Sequence, residues 1–245
     1  MLAIPSRRDE AFRYSDIDAF VSAPARDAVE CVTVAAGETF AGHIINVAAA
    51  DEVVVQNLNL TLQAGAKAKL HILNAGGRLG RITLDVTLHD GADFELGAVQ
   101  LGTAAQTVEL ITTVRHVEPN ATSRQTVRSI LGGNATGSYL GKVAVARDAQ
   151  HTDSVQSVKA MLLDRTATAN AKPELEIYAD DVKCAHGATV GELDQQALFY
   201  LAARGLPPAE AKKLLLQAFI ASVFAGADEE EPLTNAALEK LGDMV

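Results

Sequence analysis

The segment RITLDVTLHDGADF, residues 81–94, carries the pattern that decides the fold. Its first nine residues alternate strictly between polar and aliphatic side chains. The aliphatic face consists of Ile82, Leu84, Val86 and Leu88. A period of two over this length predicts a half-buried β-strand rather than a helix. The strand is followed by Gly91, and glycine tolerates the positive φ angle that a tight turn requires.

The same turn recurs along the chain at a nearly constant interval. AAGETF (35–40), QAGAKA (63–68), EPNATS (118–123) and RDAQHT (147–152) align with HDGADF (89–94). The aligned turn positions are Gly37, Gly65, Gly91, Asn120 and Ala149, at spacings of 28, 26, 29 and 29 residues. Such a period indicates a repeat architecture, and each repeat has room for about two strands.

Two strands per repeat at a fixed period predict a mainly β protein, a parallel β-helix (solenoid). Aromatic residues are only 4% of the chain, so we expect small aliphatic side chains to fill the interior. The glycine-rich stretches 74–80 and 132–137 are interpreted as bends. An antiparallel sandwich is the alternative, but it does not require a constant spacing.

The pattern becomes helical after Gly191. Apolar residues at helical spacing predict helices over 192–205 and 208–226, and a third over 234–242 with Thr234 as N-cap. We expect these helices to cover the open end of the solenoid.

We divide the chain accordingly into three parts. Residues 1–28 are a lead-in segment, 29–193 are the parallel β-helix core, and 194–245 are a C-terminal α-helical domain.

The charge balance restricts the classes of partner. There are 21 Lys and Arg against 31 Asp and Glu, a net charge of -10, which disfavours nucleic acid and anionic membranes. No run approaches the ~18 apolar residues of a membrane span, and the N-terminus lacks a signal-peptide core. The two cysteines lie far apart, so we expect reduced thiols and a cytoplasmic protein.

Motifs for common enzymatic chemistry are missing. The chain has no GxxxxGK[ST], HExxH, GxSxG or CxxC sequence. Asp85, Asp93 and Glu109 are outward candidates for a carbohydrate-active enzyme on a β-helix, but nothing in the sequence joins them into an acid–base pair. A purely structural solenoid is the other alternative.

The histidines offer two further hypotheses. His43 and His71 each follow their turn glycine by six residues, so they should stack on adjacent turns as a metal-binding pair or as an outer polar ladder. His89, His116 and His151 fall near bends, and we expect them to be solvated or to be turn residues.

Cys184 and His186 form the strongest candidate site. They lie in DDVKCAHGATVG (180–191), and side chains two residues apart point to the same side of an extended segment. A thiolate and an imidazole are suitable ligands for iron or zinc, although they supply only half of a usual set. A buried cysteine beside a structural histidine is the alternative.

The amino-acid sequence of this region resembles that of a known family. The stretches AQHTDSVQSVKAMLLDRTATANAKPELEI (149–177) and KPELEIYADDVKCAHGATVGELDQQALFYLAARGLP (172–207) are similar to the SufB/SufD family of iron–sulfur cluster assembly proteins, and more to its SufD branch. The resemblance is specific over about 149–224 and weaker over 30–148.

The resemblance implies a right-handed parallel β-helix followed by helices, and a non-catalytic scaffold subunit of a SufBCD complex. A SufB-like chain would pair through the β-helix, and a SufC-like ABC ATPase would bind the C-terminal helices and hydrolyse ATP. A cysteine desulfurase would supply sulfur indirectly. A homodimer is expected to be possible when the partner is missing.

The resemblance also implies roles for individual residues. His186 and Cys184 would handle iron or a nascent iron–sulfur cluster shared with SufB, whereas the isolated chain is expected to hold none. The implied ATPase-docking residues are Leu198, Phe199, Tyr200, Arg204, Gly205, Lys212, Leu215 and Phe219. The chain departs from the family in lacking most of its N-terminal region, and in Ala185 and His151, where Ser and Lys are more usual.

Overall fold

The computed structural model describes residues 5–24 and 26–245. Its strands are β1 (Glu30–Val34), β2 (Thr39–Asn46), β3 (Val53–Leu62), β4 (Lys67–Asn74), β5 (Leu79–Leu88), β6 (Asp93–Gly102), β7 (Thr107–His116), β8 (Thr122–Leu131), β9 (Thr136–Val145), β10 (Asp153–Leu162), β11 (Thr168–Ile177) and β12 (Lys183–Glu192). Its helices are α1 (Ile17–Ser22), α2 (Gln195–Ala203), α3 (Pro208–Ile220) and α4 (Glu230–Gly242), preceded by a 3-10 turn at Glu10–Phe12.

The strands form two six-stranded sheets that the chain visits alternately. The odd-numbered strands make one sheet in the order β1-β3-β5-β7-β9-β11, and the even-numbered strands make the other in the order β2 to β12. Every pair of neighbouring strands is parallel. The predicted β-solenoid is therefore confirmed, and the antiparallel sandwich is wrong.

Stacked aliphatic side chains fill the space between the sheets. Leu84 on β5 lies in register with Leu58 on β3, and Val86 lies in register with Leu60. All four are buried, as the alternation of residues 81–90 predicts. Each such side chain stabilises the fold by about 1.5–3 kcal/mol through its removal from water.

The turns from odd to even strands match the sequence period at four of five positions. Gly37, Gly65, Gly91 and Asn120 have positive φ angles of 74°, 67°, 63° and 62°. The amide of each donates a hydrogen bond to a carbonyl of the next turn. The fifth prediction, Ala149, is wrong, because the residue with positive φ there is His151.

The reason for the difference is a longer bend. Thr122 on β8 pairs with Asp153 on β10, an interval of 31 residues, so the equivalent turn position also moves. The amide of His151 donates to the carbonyl of Asp181, as its counterparts do in earlier turns.

The helices begin or end differently from the prediction in three places. Gly205 follows α2 at φ 90°, as expected, but that helix begins at Gln195, after the capping side chain of Asp194, and not at Glu192. However, α3 ends at Ile220 rather than at Gly226. The third helix, α4, begins at Glu230 and not after the predicted N-cap Thr234, since proline is tolerated in a first helical turn and Pro232 lies there.

The expectation that the helices cap the open end of the solenoid is wrong. Helices α3 and α4 lie across the outer face of the even-numbered sheet, where their apolar faces share one hydrophobic cluster with the strands. That cluster includes Leu73, Val99, Leu101, Ile130, Leu216, Ile220, Leu233 and Leu241. These outward apolar strand residues need a cover, and the helices provide it along the side of the stack.

The lead-in segment covers part of the odd-numbered sheet. Phe12 and Phe20 pack over the guanidinium of Arg81, which forms a buried ion pair with Glu109. The Ser15 hydroxyl donates to the same Glu109 carboxylate at 3.0 Å. Burial raises the pKa of Glu109, and the Arg81 charge opposes that rise.

Along residues 5–24 and 26–245, no helix has both the length and the apolar character that crossing a bilayer requires.

The corrected turn position gives a direct test. We expect His151→Gly to raise the free energy of unfolding by about 1 kcal/mol, because glycine relieves the left-handed backbone of an exposed residue. Ala149→Gly should lower it by about 1 kcal/mol, because it removes a fully buried methyl group and adds backbone freedom. Urea unfolding measures both, and the reverse order would contradict the turn assignment.

Candidate functional site

The candidate residues lie on the last strand of the even-numbered sheet. β12 pairs with β10 alone and presents its other edge to solvent. Cys184 is in register with Ser154, and His186 is in register with Gln156. Ser154 and Gln156 are buried inside the solenoid, so Cys184 and His186 occupy the corresponding inner face of the final turn.

The two candidate ligands differ in exposure. Cys184 is half-buried and packs against the main hydrophobic cluster, whereas His186 is exposed, because no further turn lies above it. The described residues contain no group of three or more His, Cys, Asp or Glu side chains placed to hold a metal ion. Cys184 and His186 share one inner face, as the two-residue spacing predicts, and their role as metal ligands stays a prediction.

The rest of the open end is mostly apolar. Opposite the candidate ligands, β11 contributes Ala171 and Leu175, which lie in register with the core residues Tyr139 and Val143. Val190 on β12 is 50% exposed. The end of the stack therefore combines an apolar surface with one thiol and one imidazole.

Burial raises the pKa of the Cys184 thiol above its usual value. A hydrogen bond from the backbone of Ser154 opposes this rise, and the Asp153 carboxylate adds to it. The thiol is therefore protonated at neutral pH. Binding of a soft metal would have to displace this proton, so affinity should increase with pH.

Two columns of inner side chains lead to the candidate ligands, and both change from apolar to polar along the solenoid axis. The His186 column consists of Leu70, Leu96, Gln125, Gln156 and His186. The Cys184 column consists of Ala68, Phe94, Ser123, Ser154 and Cys184. The expectation of a purely aliphatic interior is therefore wrong for the later turns.

The polar part of the His186 column is a buried hydrogen-bond network. Tyr139 donates to Gln125 Oε1 at 3.1 Å, and Gln156 Nε2 donates to the Tyr139 hydroxyl at 3.2 Å. Thr112 Oγ1 lies 3.1 Å from the same hydroxyl. Burial raises the pKa of Tyr139 to about 12, so the phenol stays neutral.

A buried histidine contacts the polar part of the Cys184 column. His116 Nε2 lies 2.9 Å from Ser123 Oγ, which lies 2.8 Å from Ser154 Oγ, directly below Cys184 in register. The expectation that His116 is solvated is wrong, because its side chain points into the core. Burial lowers the pKa of His116 to about 4, although a hydrogen bond with Ala121 opposes the shift.

The hypothesis that His43 and His71 stack on adjacent turns is confirmed for their strand register alone. His43 and His71 are paired across β2 and β4. His43 is exposed, but His71 is 2% exposed. A β-carbon at Gly97 would lie 2.5 Å from the carbonyl oxygen of Val223 and 2.8 Å from His71 Cδ2, so the segment after α3 covers this site. The pair is therefore not a symmetric outer ladder.

The three carboxylates predicted to face outward each contact a different partner. Asp85 accepts from Arg115 at 2.7 Å, Asp93 accepts from Thr122, and Glu109 is buried with Arg81. They do not share a groove, so their arrangement offers no paired acid and base.

The eight predicted docking residues fall into two groups. Phe199 and Tyr200 on α2 are 77% and 57% exposed, and Arg204 and Gly205 follow them at the exposed end of the helix. Leu198, Lys212, Leu215 and Phe219 are half-buried. Phe219 also packs against the cluster beneath the helices, so it contributes to the attachment of α3.

Comparison with known proteins identifies the family. The model described as "SUF system FeS cluster assembly, SufBD core domain" matches residues 17–219. The chain belongs to the SufB/SufD family. This family assignment confirms the resemblance that the sequence stretches around Cys184 and His186 indicate.

Individual relatives are SufD proteins and a plant protein. The chain is 30% identical over 185 residues to the iron–sulfur cluster assembly protein SufD of Escherichia coli (strain K12), covering 75% of the chain and 44% of that relative. It is 27% identical over 154 residues to SufD of Bacillus subtilis (strain 168), covering 63% and 35%. It is 35% identical over 159 residues to Protein ABCI7, chloroplastic, of Arabidopsis thaliana, covering 64% and 34%. The chain spans less than half the length of these relatives.

The buried His116 predicts a pH dependence of stability. Its pKa is about 4 in the folded protein against 6.5 for the ordinary side chain, so below pH 6.5 the unfolded state binds a proton that the folded state does not. Stability should be complete above pH 6.5 and fall by about 1.4 kcal/mol per pH unit as the pH drops toward 4.

Urea unfolding between pH 7.5 and 4.5 measures this slope in the wild-type chain and in His116→Asn. The variant should lose less stability over the acidic range. Parallel curves for the two proteins would contradict the assignment.

Proposed function

We propose that the chain is a non-catalytic scaffold subunit of SUF iron–sulfur cluster assembly, with iron or a nascent cluster as its cargo. The observation that carries the proposal is the position of Cys184 and His186 at the open end of the solenoid, on an edge strand that no strand among the described residues covers. Membership of the SufB/SufD family supports the nature of the cargo.

The occupant of the open end is proposed to be a SufB-like chain. β11 and β12 each present an unpaired edge, and the inner face of the last turn is apolar around the two donors. Unpaired strand edges favour pairing with another chain. A second β-solenoid would satisfy both the edges and the apolar surface. A second copy of this chain is the alternative occupant when the partner is missing.

Half a ligand set suits a carrier of transient cargo. A thiolate and an imidazole bind iron, but they leave positions that the partner must fill. The cargo is then held firmly only while the two chains are together. A small separation of the chains would remove half of the ligands and release the cluster.

We further propose that the exposed side of α2 and α3 binds a SufC-like ATPase, in which ATP hydrolysis takes place. Between these helices a cavity of about 410 Å³ is lined by Leu198, Phe199, Ala202, Pro208 and Lys212. The opposite side of α3 is attached to the even-numbered sheet through Leu216 and Ile220. A displacement of the helices by the ATPase would therefore reach the sheet that ends in β12. Sulfur from a cysteine desulfurase would arrive through the partner chain.

Replacement of the exposed imidazole tests the cargo site. We expect His186→Ala to lower the iron and sulfide content of the anaerobically purified complex at least about tenfold, because it removes one ligand of the set. Assembly with the SufB-like and SufC-like chains should be unchanged, since His186 contributes little to the packed core. Iron and sulfide analysis after size-exclusion chromatography measures both properties.

The matched control is His43→Ala, which removes an exposed strand histidine at the other end of the same sheet. It should leave the iron content at the wild-type level. Equal iron in the wild-type and His186→Ala complexes would contradict the cargo site and leave a scaffold that acts through docking alone.

The most exposed aromatic side chain tests the ATPase surface. Phe199→Ser should weaken binding of the SufC-like ATPase about 30-fold, as expected for the loss of a central aromatic anchor. Tyr14→Ser, which changes an exposed aromatic residue of the lead-in segment, is the control and should bind normally. Calorimetric titration measures both affinities, and an unchanged Kd for Phe199→Ser would exclude α2 from the interface.

A further inference from the structure

The polar part of the His186 column is not explained by the needs of the fold. The equivalent positions in earlier turns are Leu70 and Leu96, which are buried in the same two-sheet interior. Leucine therefore satisfies the geometry of this column. Gln125 and Gln156 replace it in the two turns that precede His186, and both are 1% exposed.

This replacement costs stability. Among the residues that the structure describes, Gln125 Nε2 and Gln156 Oε1 are buried atoms that have no hydrogen-bond partner. An unsatisfied buried polar group costs about 1–3 kcal/mol, whereas an apolar side chain of similar shape would not. Buried polar groups that lack partners in this way call for a functional explanation.

The orientation of the Gln156 amide indicates that function. Its Nε2 faces the preceding turn, where it donates to the Tyr139 hydroxyl at 3.2 Å and lies 3.4 Å from Gln125 Oε1. The Oε1 atom is left as an acceptor for the next turn. The residue of the next turn in register with Gln156 is His186.

We propose that Gln156 is a positioning residue for His186. When the partner chain covers the open end, Gln156 Oε1 accepts a hydrogen bond from one ring nitrogen of His186. That bond selects a single tautomer and turns the other nitrogen, with its free lone pair, toward the iron. Metal-binding histidines commonly donate their second nitrogen to such an acceptor, which orients the ring.

The network below Gln156 holds its amide in place. Tyr139 is fully buried and neutral, and it contacts both glutamines as well as Thr112. Rotation of the Gln156 amide would place its oxygen, instead of Nε2, beside Gln125 Oε1, and two acceptors would face each other. The network therefore keeps Oε1 directed away from it, in the orientation that His186 requires.

The inference rests on the proposed function, and its test separates the two. The complex with the SufB-like and SufC-like chains is prepared with Gln156→Leu, with Gln100→Leu and with His186→Ala. Gln100→Leu is the matched control, because it removes a buried glutamine of the same sheet whose hydrogen bonds go to Val108, Ser138 and Ser129, outside the network that holds Gln156. Two properties are measured: retention of Fe(II) under anaerobic dialysis, and the tautomer of His186.

The tautomer is read from the ring carbon shifts in complexes where only this chain carries ¹³C-labelled histidine, with His186→Ala providing the assignment. We expect a single neutral tautomer in the wild type and in Gln100→Leu, and a mixture in Gln156→Leu. Fe(II) retention should fall about 10- to 100-fold in Gln156→Leu, and by much less in Gln100→Leu.

Each outcome decides a different claim. A single tautomer in Gln156→Leu, or equal iron loss in both leucine variants, would overturn the positioning role. If His186→Ala keeps its iron, the proposed cargo site fails, and the tautomer measurement still decides the contact between Gln156 and His186. Urea unfolding of each variant verifies that Gln156→Leu is folded; we expect it to be at least as stable as the wild type.

Discussion

The in-register stacking of parallel strands is the constraint on which the rest of the structure depends. Each strand obtains its backbone hydrogen bonds from the turn before and the turn after, so equivalent residues lie above one another. A side chain in one turn thereby fixes the surroundings of its counterpart in the next. The aliphatic core, the turn ladder at Gly37, Gly65 and Gly91, and the two polar columns all follow from this one rule.

The same rule makes the last turn incomplete. Its strands have partners on one side only, and its inner face has no turn above it. The helices do not cover the last turn, because they pack against the outward-facing apolar residues Leu73, Val99 and Ile130 on the side of the stack. The chain thus covers a lateral apolar face with its own helices, whereas the axial face with Cys184 and His186 stays open.

The sequence predicted what depends on local periodicity. The alternation of residues 81–90 and the glycine at position 91 sufficed to predict the strands and turns, because both elements depend on the local sequence. The constant repeat interval predicted the fifth turn at Ala149 instead of His151. No residue pattern in the sequence indicates that the bend before β10 is longer than the earlier ones. The inward direction of His116 and the position of the helices were missed because they depend on packing between distant segments. Cys184 and His186 were placed on one face correctly, since two-residue spacing suffices for that.

The two polar columns were not predicted, although the sequence contains a pattern that indicates them. Gln125, Gln156 and His186 recur at the strand register, as do Ser123, Ser154 and Cys184. Once the register is known, each candidate ligand stands at the end of a line of polar residues that begins two turns earlier. A solenoid that needed stability alone would continue the apolar residues of those columns. Buried polar groups without partners carry a cost in stability, and here they place hydrogen-bonding groups beneath the two side chains at the open end of the solenoid.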